Sequence, residues 1–218
     1  MANLRAIELL MQSLADWLTN SYALAKANTP RTNSDGSPIP GTSYLPDFTF
    51  VPLSSSQLSS AKLDAADSGA NQVSIFLYRV SADPHLRSAG SARAPGMLPP
   101  PLSLQLHLLF SFWSSSASDD HLVLAWLLRQ LHEHPFLDGA DLAAGADWAS
   151  DEIIHLVSAE LGHEEMMRLW DALTPSYRLS VAYIARVLRI DPESPTEVRL
   201  VQLKRLAFGS WDDREVVP

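Results

Sequence analysis

Two alternating runs constrain this chain more than anything else in it. Asn71-Gln-Val-Ser-Ile-Phe-Leu-Tyr-Arg-Val80 sets Val73, Ile75 and Leu77 on one side and Ser74, Phe76 and Tyr78 on the other. Leu102 to Trp113 repeats the pattern, with Leu102, Leu104, Leu106, Leu108, Phe110 and Phe112 opposite Ser103, Gln105 and His107. Period-two alternation over such lengths predicts half-buried strands. The turn-rich stretch between them runs from Asp83-Pro-His-Leu-Arg87 to Pro99-Pro-Pro101. A third run, Tyr177 to Ile190, sets Leu179, Val181 and Tyr183 against Arg178, Ser180 and Ala182, and predicts a long strand ending at Asp191-Pro192.

Helical patterns lie around these strands. Ile7, Leu10, Leu14, Trp17 and Leu18 recur at three- and four-residue spacing and predict an amphipathic helix over 3–25. Asn28 to Gly41 is dense in turn residues and reads as a loop, with mobility expected over about 28–47. Phe48 to Val51 predicts a short strand, and Leu53, Leu58 and Leu63 suggest a short helix through the serine-rich Ser54 to Ser60. Ser118-Asp-Asp120 reads as a helix start. The following helix, His121 to Leu131, is apolar nearly all round, so burial on more than one side is expected. His134-Pro135 ends it. Ile153 to Val157 predicts a short strand, His163 to Leu173 a helix stopped by Thr174-Pro175, and Val198 to Leu203 a possible strand. Strands dominate the middle and do not alternate with helices. The expected class is α+β, a mainly antiparallel sheet with helices packed on one face. The expected division is a domain over 1–191 and an extension or arm over 192–218. The long strands 102–113 and 179–190 are candidates for a sheet edge that pairs with a partner.

Composition narrows the functional classes. Hydrophobic residues make up 46% of the 218, enough for a sizeable core. There is no cysteine, which excludes disulfides, thiolate metal sites and a cysteine nucleophile. A net charge of -9 argues against non-specific nucleic-acid binding. Met1 to Leu18 holds Glu8 and Asp16 and has no apolar core of a secretory signal, and Leu102 to Trp113 is too short to cross a bilayer as a helix.

No catalytic set emerges. His132 and His134 sit two residues apart, about 200° around a helix, and so cannot share an ion easily. A polar helix end explains them better. His163-Glu-Glu165 opens a helix without the second histidine a zinc motif requires, and its glutamates complement the helix N-terminus. No Gly-x-Ser-x-Gly elbow and no glycine-rich phosphate loop occurs. Met166, Met167 and Trp170 read as core residues. The expectation is a protein that is not an enzyme and carries no cofactor and no metal. A small-ligand-binding module and an uncharacterised hydrolase are the alternatives.

Several blocks carry a resemblance when taken in order: Val73 to Val80, Asp83 to Arg87, Pro99 to Leu109, Leu127 to Phe136, Met167 to Trp170 and Thr174 to Tyr183. Together they resemble the N-terminal domain of the cap, or tail-terminator, proteins of extracellular contractile injection systems. These are phage-tail-like particles of the antifeeding-prophage and virulence-cassette type. The resemblance covers roughly residues 70 to 190. It implies a structural assembly protein with a tail-terminator-like fold. Such a protein forms a six-fold ring at the distal end of the particle, caps the inner tube, contacts the sheath and stops polymerisation. The implied partners are further copies of the chain, the tube protein and the sheath protein, with neither nucleic acid nor a membrane contacted directly. The implied location is the cytoplasm during assembly, and then the particle, whether released or retained. Arg87, Tyr78, Arg178 and Tyr183 are the candidate subunit-interface residues. Arg87 is singled out because arginine is enriched at interface cores, although Asp83-Pro84 and an arginine four residues on also suit a structural turn. The 28–41 loop and the chain after Asp191 exceed the family pattern, and either is expected to reach a neighbour.

Overall fold

The structure, a computed structural model, describes residues 2–59, 71–83, 101–173 and 175–191. Its described elements run α1 (Ala6–Ala27), β1 (Thr49–Pro52), α2 (Ser55–Leu58), β2 (Gln72–Ala82), β3 (Leu102–Trp113), α3 (Ala117–Glu133), β4 (Phe136–Leu137), β5 (Ile154–Ser158), α4 (His163–Asp171) and β6 (Ser180–Ile190). The six strands form one sheet in the order β1-β2-β3-β6-β5-β4. β1 runs parallel to β2, and every other pairing is antiparallel. The α+β class and the mainly antiparallel sheet are as expected. Arg87 and the possible strand 198–203 lie outside the described residues.

The alternation seen in sequence becomes the division between two cores. Val73, Ile75, Leu106, Leu108, Phe110, Phe112, Ala185 and Leu188 bury one face of the sheet under α1 and α3. Each of these side chains except that of Ala185, fully withdrawn from water, stabilises the fold by about 1.5–3 kcal/mol. Leu10, Leu14 and Leu18 of α1 enter this core, with Ile7 and Trp17 packed at its margin. Tyr22 closes it. Its ring stands edge-on to Trp126 at 4.8 Å, and its hydroxyl donates to the Pro46 carbonyl at 2.8 Å. The opposite face carries a smaller core of Leu58, Leu109, Trp113, Trp170, Leu173 and Ala182. The two long helices therefore share one face, as expected. The short α4 and Leu58 of α2 cover part of the other, because Met166, Leu169 and Trp170 give α4 an apolar side of its own.

Several details depart from the pattern read in sequence. The helix start signal is Ser116, which accepts from the Asp119 amide at 3.3 Å, two residues before Ser118. α3 is buried along one stripe only, Val123, Trp126, Leu127 and Leu131. Leu128 is 39% exposed and Ala125 faces solvent, so its leucine content overstated its burial. Leu102 is exposed where β3 begins. Strand pairing begins at Ser180 and leaves 177–179 outside the strand.

The edge assignment is corrected as well. β3 lies between β2 and β6, and β6 between β3 and β5, so neither long strand is terminal. The terminal strands are β1, of four residues, and β4, of two. Alternation reports which face a residue serves; it does not report a strand's position in the sheet.

The segment 28–47 is tied to itself and to its neighbours. Thr32 bridges Pro38, the Tyr44 amide donates to the Thr29 carbonyl at 3.2 Å, and Lys26 pairs with Asp47. On the other side, the loop between β4 and β5 is pinned to α1. The buried Ser13 hydroxyl accepts from the Ala143 amide at 2.7 Å while donating to the Leu9 carbonyl. Asn3 donates to the Gly145 carbonyl and to Asp147.

Candidate functional site

The partly covered face of the sheet carries two features. The first is a groove of about 740 Å³ between α4 and the middle of β2, β3 and β6. A register shift between Leu77 and Arg79 creates one wall. Such a bulge sets two residues against one and re-aims side chains, and here Tyr78 and Arg79 both line the groove. Val157 and Ser158 of β5, Ala159 to Leu161 after it, and Ile184 and Arg186 of β6 supply the rest with Glu165, Arg168 and Leu169 of α4. Three arginines and two glutamates thus share an opening with an apolar floor. Tyr78 stands edge-on to His107 at 5.8 Å, and burial raises its phenol above the usual range.

His107, which lines this groove, has its Nε2 3.0 Å from Ser81 Oγ. Burial, helped by the Arg79 charge, lowers the His107 pKa and favours the neutral ring. Neither residue was singled out in sequence, because the pair forms across the β2–β3 ladder from positions 26 apart. A hydroxyl beside an imidazole is only part of a nucleophilic site, which also needs a group that orients the base. Among the described residues His107 makes no second hydrogen bond.

The second feature is an aromatic shelf at the far end of β3. Trp113 and Trp170 are buried with ring centroids 6.1 Å apart, and Tyr177, 51% exposed, stands edge-on to Trp170 at 6.0 Å. The Arg178 guanidinium lies 5.3 Å over the Trp113 ring. Beneath it Ser74, Ser111 and Ser180 align across three strands. The Trp113 indole donates to Ser74 Oγ at 2.9 Å, and Ser180 donates to Ser111 at 3.0 Å. Trp170 Nε1 is buried with no partner among the described residues.

The candidate interface residues therefore fall in different places. Tyr78 lines the groove and Arg178 caps the shelf. Tyr183 packs in the main core under α1 and α3, 6% exposed and edge-on to Phe110 at 5.7 Å. Arg87 is not among the described residues. The histidine clusters are accounted for locally: His134 packs edge-on to Trp17, Glu165 accepts from the Gly162 amide, and Glu164 pairs with Arg168 at 2.6 Å. Among the described residues no three His, Asp or Glu side chains gather as a metal site would require, and no helix is long and apolar enough to cross a membrane.

Sequence reasoning also missed Glu152. It is 7% exposed beside a small pocket lined by His155, Val187 and Arg189. Burial raises its pKa above the usual carboxylate range, against the pull of Arg189.

Comparison with known proteins adds the following. The Pvc16 N-terminal domain profile matches residues 42–204. Among solved structures, a sheath/tube terminator of an extracellular contractile injection system, PVC, in its extended state aligns over 99% of this chain at TM-score 0.50 and 18% identity. The chain spans 65% of that protein's length. The tube-terminating cap of the anti-feeding prophage aligns over 66% of this chain and 50% of its own, at TM-score 0.45 and 18% identity. At 18% identity the likeness to the sheath/tube terminator is one of fold. No curated protein matches the chain.

Proposed function

The chain belongs to the Pvc16 N-terminal domain family, and from that premise we propose that it is a structural protein that caps the end of a contractile injection tail. The observation that carries the proposal is the family match over 42–204, on a chain whose fold aligns along nearly its whole length with a sheath/tube terminator. In this reading the chain assembles as a six-fold ring on the end distal to the baseplate. It covers the inner tube, meets the last sheath ring and stops further addition of either. The partners are other copies of the chain and the tube and sheath proteins; no substrate, cofactor or nucleic acid takes part. Assembly takes place in the cytoplasm, and the protein then stays with the particle.

The domain division follows the same reading. Residues 1–191 form the terminator domain and 192–218 an arm; the family match extends to residue 204 and so takes in the start of that arm. A cyclic ring is closed by heterologous contacts, one patch meeting a different patch on the next copy. The groove at Tyr78 and the shelf at Arg178 are the patches we assign to that role.

Light scattering on the purified protein, alone and with isolated tube and sheath, tests this. Six copies give 6 × 24.0 = 144 kDa. That mass, or retention on tube ends, is the expected result. A 24.0 kDa species that ignores both tube and sheath overturns the reading and returns attention to the groove as a ligand site.

A further inference from the structure

β2 is only half covered on its outer side. β1 pairs with it from Gln72 to Ile75, and the Leu53 amide closes on the Ile75 carbonyl. From Leu77 to Ala82 no described residue pairs with that edge, while the inner edge stays paired to β3 throughout. The last rung is the Asp83 amide on the Ser103 carbonyl at 2.9 Å. In an antiparallel ladder the backbone groups of successive residues alternate between the partner and the opposite side. Counting back from that rung, Arg79 and Ser81 bond inward, and Val80 and Ala82 present their amides and carbonyls outward. Val80 is 45% exposed. A strand edge of this kind is a template for an added strand.

We propose that this edge receives the arm of a neighbouring copy, with Val198-Arg-Leu-Val-Gln-Leu203 as the added strand. The inference rests on the ring reading. The edge left unpaired among the described residues and this run are each six residues long. The arm starts where it is needed, because Ile190 pairs with Leu102 and Ala82 with Leu104, so β6 and β2 finish at the same end of the sheet. The spacer 192–197 spans up to about 20 Å. Donor and acceptor are different patches, which is the heterologous contact a closed ring requires. The spacer also covers the roughly 14 Å that separates β6 from a strand added outside β2 in the same chain, so the test must separate a neighbour's arm from the chain's own.

The chain has no cysteine, so single cysteines report cleanly. V80C protein is mixed with full-length chains carrying one cysteine at each position from 198 to 203, and oxidised. The expected result is a disulfide dimer at twice the chain mass. Its yield should alternate between successive arm positions, and deleting 192–218 should abolish the 144 kDa species. Flat yields along the arm overturn the proposal. So does a V80C/L200C chain that links within itself while the mixed single variants stay unlinked. A ring that survives the deletion overturns strand donation and leaves the ring reading standing, whereas a full-length chain that never leaves 24.0 kDa, even on tube ends, removes both.

Discussion

Replacing Ser74 with alanine isolates the hydrogen bond beneath the aromatic shelf. Ser74 is fully buried, and so are Ser111 and Trp113 beside it. The substitution removes little volume but takes away the acceptor for Trp113 Nε1, leaving that donor buried without a partner. Such an orphan costs about 1–3 kcal/mol, more than the net worth of an ordinary hydrogen bond. For a chain of this length 1 kcal/mol moves Tm by about 2–4 °C, so a fall of about 2–12 °C is expected, with a matching drop in urea midpoint at unchanged m. W113F removes the donor as well as part of the ring. The S74A/W113F double variant should therefore lose less than the sum of the single losses, by about 0.5–3 kcal/mol. Trp170 supplies the internal control. Its indole nitrogen already lacks a partner among the described residues, so W170F loses packing alone and should show no such coupling with S74A. An S74A protein within about 0.5 kcal/mol of the parent, or an additive cycle, would refute the argument.

Three further outcomes are expected. F110A empties a fully buried site against Tyr183 and should cost about 3–5 kcal/mol in denaturant unfolding; a loss under 1 kcal/mol would mean that this core collapses around the gap. Glu152 has a folded-state pKa raised by burial, so the native state holds that proton more tightly than the unfolded chain, and the group's contribution to stability falls as pH rises through and above the carboxylate range. E152Q should thus be more stable than the parent at neutral pH, with the difference vanishing in acid; a pH-independent difference would show that packing, not charge, is involved. R178A should lower the stability of the single chain by about 0.5–1 kcal/mol through the lost contact with Trp113. If the shelf is a subunit contact, R178A should also shift the light-scattering mass from 144 kDa toward 24.0 kDa, and an unchanged ring would remove Arg178 from the interface.

Much of the fold could be read from sequence because the two faces of the sheet differ so sharply in solvation. Val73, Ile75, Leu106, Leu108 and Phe110 declare β2 and β3 by alternation, and the same residues fill the main core. What could not be read depends on register. The bulge at Tyr78 leaves no mark in the residue types, yet it brings Tyr78 and Arg79 to one groove. Ser81 meets His107 only because that shift sets the ladder. Tyr183 carries the same apolar alternation as a surface-facing tyrosine would, and only the pairing with Leu108 and Phe110's neighbourhood reveals it as core. Glu152 is buried beside Val187 and Arg189 of β6, a neighbourhood that only the pairing of β5 with β6 creates.

The mismatch of strand lengths ties the candidate surfaces together. The three central strands, β2, β3 and β6, run 11 or 12 residues, while β1, β5 and β4 outside them run 4, 5 and 2. On the face under α1 and α3, helices of 22 and 17 residues match the long strands and leave a closed core. On the other face α4, at 9 residues, is too short to do so. It divides what it cannot cover into the groove on one side and the shelf on the other. The same shortfall in β1 leaves the outer edge of β2 unpaired from Leu77 among the described residues. A monomer selected only for its own stability gains by extending α4 or β1, since each added apolar contact is favourable. A subunit that must meet neighbours needs the opposite, long strands left partly bare at fixed positions. Lengthening β1 to cover Leu77 to Ala82 should therefore stabilise the single chain while abolishing ring formation, and a variant that gains stability and still forms the ring would show that the open edge is not where copies meet.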